Sequence, residues 1–209
     1  MVLENFIVFE GIDGAGTSTQ LEKLIKRCSS ARLSISAEPT PGPTGLFLRR
    51  MLAGEFTVDE RTAAYLFAAD RSEHLYGKNG ILENLAAGKL VVSDRYFFSS
   101  LAYQSVTCGR DLPRILNSTF PLPSILFYFK ISPDISLTRV EKRGEKREIY
   151  ENGTFLQKTA LLYDEVMAEY NKPPHAETMQ IVTLDAAAPI DKTAEIIWNH
   201  LENLPILKM

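Results

Sequence analysis

The chain has 209 residues, 45% of them hydrophobic and 23% charged, and its formal net charge is −3. This composition is ordinary for a globular protein with one sizeable core, and the negative charge argues against binding nucleic acid through bulk charge. No apolar run approaches the ~18 residues of a membrane-spanning helix, and the N-terminus lacks a secretory pattern. We therefore predict one cytoplasmic domain over residues 1–209 that binds small anionic ligands and neither nucleic acid nor membrane.

Short apolar runs alternate with longer helical patterns along the chain, which is typical of βαβ units. The predicted strands are Asn5–Phe9, Leu33–Ala37, Leu90–Ser93, Ile125–Ile131 and Gln180–Leu184. Helices are predicted near residues 17–29, 44–53, 59–87, 97–106, 111–118, 133–142, 154–170 and 190–203. The pattern indicates an α/β fold with a mainly parallel five-stranded sheet flanked by helices, in which ligands gather at the carboxyl ends of the strands.

The first predicted strand leads into a glycine-rich turn with the frame of a phosphate-binding loop. In the pattern G-x-x-x-x-G-K-S/T, the chain matches with Gly11, Gly16 and Ser18. Glycines let the backbone wrap around an anion, and the amides that open the next helix add partial positive charge. The predicted ATP-binding residues are Gly11, Gly14, Ala15, Gly16, Thr17, Ser18 and Thr19, and Ser18 would offer its hydroxyl to Mg²⁺. The structural alternative is an ordinary turn.

Thr17 stands where the loop's lysine is expected. One charge fewer at ~4 Å from a phosphate is worth roughly 4 kcal/mol at an effective dielectric constant of ~20. Lys23 is about 9 Å farther along the helix and cannot replace it. Two interpretations stay open: another segment supplies the charge, or the protein binds nucleotides but has lost most of its catalysis.

Two further patterns place candidate ligand-binding side chains at this edge of the sheet. Asp94 follows a buried strand, where an acidic residue commonly holds Mg²⁺, and Arg95 beside it can grip a phosphate. Phe67 and Arg71 are four residues apart and share a helix face, so they can stack on a base and bond its carbonyl. The structural alternatives are an Asp-Arg pair at a strand end and a core phenylalanine beside a surface arginine.

These motifs together resemble bacterial thymidylate kinase. The runs that carry the resemblance are Phe6 to Gln20, Leu66 to Arg71, Asp94 to Tyr96 with Ser99 to Gln104, and Glu148 to Glu151, and they cover nearly the whole chain. The resemblance implies transfer of the γ-phosphoryl group of ATP to dTMP with Mg²⁺, by a homodimer packed through helices. A related phosphate-loop kinase with another nucleotide acceptor is the remaining alternative.

The resemblance also implies roles for individual residues. Phe67 would stack on thymine, Arg71 would bond its carbonyl oxygen, Ser100 and Gln104 would flank the base, and Tyr103 would disfavour a 2′-hydroxyl. Asp13 would meet the 3′-hydroxyl, while Arg95 and Arg49 would hold the 5′-phosphate. Because Gly14 occupies the loop position where some members carry a catalytic arginine, the chain looks like the kind whose arginine lies in the flap called the LID, near residues 139–151. Of its basic residues, Arg139, Lys142, Arg143, Lys146 and Arg147, we favour Arg143 and Arg147.

One loop departs from the family pattern. Many relatives read R-E-P-G where this chain reads Ala37-Glu38-Pro39-Thr40. An arginine and a glycine are therefore missing, and the family's substrate contacts through this loop do not carry over.

Overall fold

A five-stranded parallel sheet forms the centre of the molecule. The computed structural model describes residues 1–28, 32–142, 149–150 and 153–208. Its strands are β1 (Val2–Glu10), β2 (Leu33–Ala37), β3 (Leu90–Asp94), β4 (Leu122–Lys130) and β5 (Gln180–Asp185), in the spatial order β2-β3-β1-β4-β5. All neighbouring pairs run parallel, which confirms the predicted α/β fold and its five-stranded sheet.

Helices connect the strands. They are α1 (Thr17–Arg27), α2 (Pro43–Leu52), α3 (Glu60–Tyr76), α4 (Ile81–Ala86), α5 (Phe97–Cys108), α6 (Asp111–Asn117), α7 (Pro133–Lys142), α8 (Gly153–Tyr170), α9 (Ile190–Leu201) and α10 (Pro205–Lys208). Helix α1 packs against α9, while α5 packs against α3, α6 and α8. Among the helices in the described part of the chain, none combines the length and the apolar character that crossing a bilayer requires.

The prediction of one helix over residues 59–87 is wrong. Helix α3 ends at Tyr76, and α4 begins only at Ile81. Between them Asn79 adopts a φ of 59°, and a Cβ on Gly80 would lie 2.6 Å from the carbonyl oxygen of His74. The chain therefore turns at a point that only glycine fits, although the helical spacing of apolar residues continues beyond it. A 3₁₀ turn at His175–Glu177 and helix α10 were also not predicted.

The central strand β1 fixes where the loops meet. Phe6, Ile7, Val8 and Phe9 are fully buried, as expected for a strand that is covered on both faces of a parallel sheet. Phe9 pairs with Asp94 on one side and with Phe127 on the other. Strands β3 and β1 therefore end almost level, β4 continues to Lys130, and the loops that follow the three strands share one edge of the sheet.

Candidate active site

A crevice of about 550 Å³ opens at the carboxyl edge of the sheet. Its walls come from the loops that follow β1, β2 and β3 and from α2, α3 and α5. The predicted site residues that line it are Asp13, Gly14, Gly16, Thr17, Ser18, Thr19, Arg49, Phe67, Arg71, Asp94, Arg95, Ser100, Tyr103 and Gln104. Motifs that are far apart in the sequence thus meet at one cavity.

The glycine-rich turn joins β1 to α1. Gly14 and Gly16 have φ angles of 78° and 92°, in the left-handed region that favours glycine. A Cβ on Gly14 would also lie only 2.7 Å from the carbonyl oxygen of Ser136. Gly16 caps α1 without a side-chain hydrogen bond, so the first backbone N–H groups of the helix are available to an anion.

Asp94 faces the start of α1. The Ser18 hydroxyl donates a hydrogen bond of 3.2 Å to Asp94 Oδ2. Burial raises the pKa of Asp94, while the charge of Arg95 and hydrogen bonds from the Thr17 and Ser18 hydroxyls lower it. A carboxylate with neighbouring hydroxyls is a set of oxygen donors that fits Mg²⁺, which keeps several waters and needs one or two carboxylates beside substrate phosphates. Within the described ranges, three or more His, Cys, Asp or Glu side chains do not cluster as a metal cage.

Arg95 lies at the floor of the crevice, between the glycine-rich turn and α5. Its backbone φ of 74° is uncommon for a residue with a side chain. Its amide donates to the Phe9 carbonyl at 2.9 Å, and its carbonyl accepts from the Ser93 hydroxyl at 2.6 Å, so both backbone groups are fixed. Its guanidinium donates to Asp13 Oδ1 at 2.6 Å and to the Gly11 carbonyl at 2.9 Å.

Tyr103 joins Arg95 and Asp13 into one cluster. The Arg95 guanidinium lies 5.2 Å from the centre of the Tyr103 ring. The Tyr103 hydroxyl donates to Asp13 Oδ2 at 2.8 Å and accepts from the Asp13 amide at 3.1 Å. Burial raises the pKa of Tyr103 well above its ordinary value, so this hydroxyl stays protonated. Both carboxylate oxygens of Asp13 are thus held by neighbouring donors.

Arg71 is not the surface residue of the structural alternative, because only 1% of its side chain is exposed. Its Nε and Nη2 donate to Glu38 Oε2 at 2.9 and 2.7 Å, and Nη2 also donates to the Ser100 hydroxyl at 3.1 Å. Nη1 donates to the side-chain oxygen of Asn117. Glu38 reaches this site from the loop after β2, and its other oxygen lies 3.0 Å from His74 Nδ1.

Sequence reasoning missed Glu38 as a site residue. It stands directly after a strand on the carboxyl edge of the sheet, which is the signal that identified Asp94. The same loop is fastened to α3 by Asp70, which accepts from the Thr40 amide at 2.8 Å and from the Thr40 hydroxyl at 2.6 Å. Arg49 donates to the carbonyl oxygen of Thr40 at 3.4 Å and to that of Pro39. Thr40, which stands in place of the glycine of R-E-P-G, therefore adds a hydrogen bond from its hydroxyl to Asp70.

A smaller cavity of about 280 Å³ lies on the other side of the glycine-rich turn. Gly14, Gly16 and Thr19 line both cavities, and Ala15 lines only this one. Arg139 of α7 crosses it: Nη1 donates to the Gly14 carbonyl at 3.3 Å and Nη2 to the Ala186 carbonyl at 2.9 Å.

The structure describes only part of the flap. Arg143 and Arg147, the favoured catalytic arginines, lie outside the described residues. Tyr150 is buried, stacks on Phe155 with ring centres 4.7 Å apart, and lines the large crevice. Lys23, on α1, is paired with Asp191 at 2.6 Å.

Comparison with known proteins gives one consistent family. The family model described as thymidylate kinase matches residues 9–197. The putative thymidylate kinase of Treponema pallidum is 38% identical over 209 residues, which are 99% of each chain. The thymidylate kinase of Leptospira interrogans is 38% identical over 170 residues, covering 78% of this chain and 81% of the relative. The probable thymidylate kinase of Methanocaldococcus jannaschii is 33% identical over 207 residues, covering 98% of this chain and 100% of the relative.

Proposed function

The chain belongs to the thymidylate kinase family, and we propose that the crevice and the smaller cavity together form its active site. The protein is a dTMP kinase, which uses ATP as phosphoryl donor. One observation supports this arrangement above others: the glycine-rich turn is a common wall of both cavities. Two nucleotides bound on either side of that wall would bring their phosphates together at its amides.

The acceptor side is the large crevice. Arg95 would bind the 5′-phosphate of dTMP, because it is the guanidinium at the floor and its backbone is fixed on both sides. Phe67 would stack on the thymine base, and Arg71 would bond its carbonyl oxygen, with Ser100 and Gln104 beside it. Tyr103 would exclude a 2′-hydroxyl, and Asp13 would accept from the 3′-hydroxyl. Arg49 would assist at the 5′-phosphate after giving up its contacts to the loop carbonyls.

The donor side is the glycine-rich turn with the smaller cavity. Its free N–H groups would bind the phosphates of ATP, and the cavity beside Ala15 would take the rest of the nucleotide. Ser18 and Asp94 would hold Mg²⁺, which when bound neutralises charge on the donor phosphates. The acceptor oxygen forms a bond to the γ-phosphorus while the bond to the departing ADP oxygen breaks, so the protein's main task is in-line positioning.

The charge missing at Thr17 would come from arginines of the flap, which we place near residues 139–151. Arg139 is the first of them, and its guanidinium already reaches the glycine-rich turn. Arg143 and Arg147 are the further candidates, as in the LID-arginine kind of the family. Closure of the flap over the crevice would also keep water from replacing the acceptor.

The decisive experiment measures ATP-dependent formation of dTDP by the purified protein, with dTMP, dUMP and dGMP as competing acceptors. We expect turnover with a clear preference for dTMP. A preference for another acceptor would point to a related phosphate-loop kinase. Tight dTMP binding by calorimetry without turnover would instead support a nucleotide-binding homologue that has lost most of its catalysis.

Compensation for Thr17 is tested with single alanine substitutions at Arg139, Arg143 and Arg147, each made alone and together with Thr17→Lys. Loss of the compensating arginine should lower kcat, by up to about a thousandfold for an interaction of roughly 4 kcal/mol. Thr17→Lys should restore kcat in that variant. Arg110→Ala is the matched control, since Arg110 is an exposed arginine paired with Glu165. Full activity in all three alanine variants would refute compensation.

We also propose a homodimer that packs through helices α2 and α3. These neighbouring helices expose large apolar side chains, namely Leu46 at 51%, Phe47 at 40%, Tyr65 at 53% and Tyr76 at 61%. Sedimentation should give twice the chain mass, and Leu46→Asp with Tyr65→Asp should reduce it to one. A single domain that acts in the cytoplasm completes the proposal, and fractionation of the source cells tests the location.

A further inference from the structure

Glu10, at the end of β1, is a fully buried carboxylate with no part in the roles assigned above. Its Oε1 accepts hydrogen bonds from the backbone amides of Tyr96 at 2.8 Å and Ser99 at 3.2 Å. Its Oε2 accepts from the Ser99 hydroxyl at 2.6 Å and from the Tyr163 hydroxyl at 2.8 Å. Four donors from two segments therefore converge on one carboxylate beneath the crevice.

The same two hydroxyls also contact Arg95. Arg95 Nη1 lies 3.2 Å from the Ser99 oxygen and 3.3 Å from the Tyr163 oxygen. Each hydroxyl has one proton. While that proton points to Glu10, the oxygen lone pairs remain free to accept from the guanidinium. The two hydroxyl oxygens also lie 2.8 Å from each other, but the charge of an ionised Glu10 favours both protons on its side, and the hydroxyl oxygens then hold one edge of Arg95.

We infer that Glu10 is a positioning residue of the acceptor-phosphate site, which holds Arg95 in place through Ser99 and Tyr163. The inference rests on the proposed function, because it takes Arg95 as the group that binds the 5′-phosphate. Asp13 holds the other edge of the guanidinium, at 2.6 Å from Nη2. Without the link to Glu10, Arg95 keeps that contact and the hydrogen bond from Nη1 to the Gly11 carbonyl, but Nη1 loses its two oriented hydroxyl acceptors.

The position of Glu10 makes this link sensitive to pH. Burial raises the pKa of Glu10 to about 7. Hydrogen bonds from Ser99, Tyr163 and Tyr96 and the charge of Arg95 lower this pKa but do not offset the effect of burial. Tyr163 faces it from α8 and Tyr128 from β4, and burial raises the pKa of both phenols, so both stay neutral. A protonated Glu10 must donate its own proton to one of the two hydroxyls. That hydroxyl then turns its proton away from Glu10, towards the other hydroxyl 2.8 Å away, and its orientation beside Arg95 is no longer fixed.

Calorimetric titration with dTMP from pH 6 to pH 8.5 tests the inference on the full-length wild type and Glu10→Gln, which mimics the protonated carboxyl. The ratio of the two dissociation constants at each pH cancels the titration of the dTMP phosphate itself. We expect the ratio to be about ten or more at the upper pH, as for one charge-assisted hydrogen bond, and to approach one at the lower pH. In steady-state assays the ratio of the KM values for dTMP in the two proteins should change with pH in the same way, while the ratio of the KM values for ATP should not.

Tyr163→Phe and Tyr128→Phe form a matched pair of buried tyrosines whose rings stack 5.7 Å apart. The Tyr128 hydroxyl donates to Asp164 at 3.0 Å and does not link Glu10 to Arg95. Tyr163→Phe should weaken dTMP binding, and Tyr128→Phe should match the wild type. Thermal unfolding checks that each variant folds, and Tyr163→Phe decides the matter if Glu10→Gln does not fold.

Two results would overturn the inference. One is a ratio that stays near one at every pH, and the other is equal dTMP affinity in both tyrosine variants. A wild type that turns over ATP with another nucleotide but binds no dTMP would instead refute the proposed function itself.

Discussion

The Arg71–Glu38 pair allows a quantitative prediction. It is a buried ion pair at 2.7 Å, with 1% and 5% of the two side chains exposed. In Glu38→Gln the guanidinium loses its negative partner but keeps its contacts to Asn117, Ser100 and the Tyr96 carbonyl. The variant therefore leaves an uncompensated charge on a side chain of which only 1% is exposed.

Removing one partner of a buried ion pair typically costs about 3–5 kcal/mol in free energy of unfolding. Because neutral acceptors remain around Arg71, we expect about 3 kcal/mol. In a chain of this size, each kcal/mol of lost stability lowers Tm by about 2–4 °C, so Tm should fall by roughly 6–12 °C. The KM for dTMP should also rise, because Arg71 would move away from the base.

Urea and thermal unfolding measure the stability change, and initial rates measure the KM for each substrate. The matched control is Glu169→Gln, which breaks the pair of Arg114 and Glu169, also 2.7 Å long but with 38% and 44% of the side chains exposed. An exposed pair of this kind is worth about 0–1 kcal/mol. If Glu38→Gln loses no more stability than Glu169→Gln, the argument from the buried charge fails.

Three further outcomes follow from the site. Asp94→Asn should raise the Mg²⁺ concentration needed for half-maximal activity and weaken Mn²⁺ binding measured by electron paramagnetic resonance; unchanged Mn²⁺ affinity would remove Asp94 from the metal site. The pKa of Glu10 rises from an ordinary 4.5 to about 7 in the folded protein. Between pH 4.5 and pH 7 the folded state therefore holds a proton that the unfolded state has released. Between pH 5 and pH 8, the free energy of unfolding measured in urea should fall by roughly 3 kcal/mol more for the wild type than for Glu10→Gln. An equal fall in both proteins would contradict this. Gly14→Ala should weaken ATP binding measured by calorimetry, because its Cβ would lie 2.7 Å from the Ser136 carbonyl unless the turn or that carbonyl shifts; normal ATP affinity would show that the turn adapts.

The sequence could predict features that depend on local properties of the chain. Apolar runs of strand length marked all five strands, and β2 has the predicted bounds Leu33–Ala37. Glycine spacing marked the turn before α1, since only glycine adopts the left-handed angles of Gly14 and Gly16 without strain. The break between α3 and α4 could not be predicted, because the helical spacing of apolar residues continues through Gly80. That spacing does not reveal that the His74 carbonyl lies against Gly80.

Contacts between distant segments appeared only when the chain was folded. Glu38 pairs with Arg71 across 33 positions, Arg139 meets Gly14 across 125, and Tyr163 reaches Glu10 across 153. No local pattern records which side chain will satisfy a buried charge, because its partner is chosen by the packing of separate elements. The sequence by itself therefore determined the sheet, the phosphate-binding turn and the family resemblance. The tertiary structure alone decided which residues hold Arg71 and Arg95 in place, since a buried charge must find its hydrogen-bond partners in three dimensions.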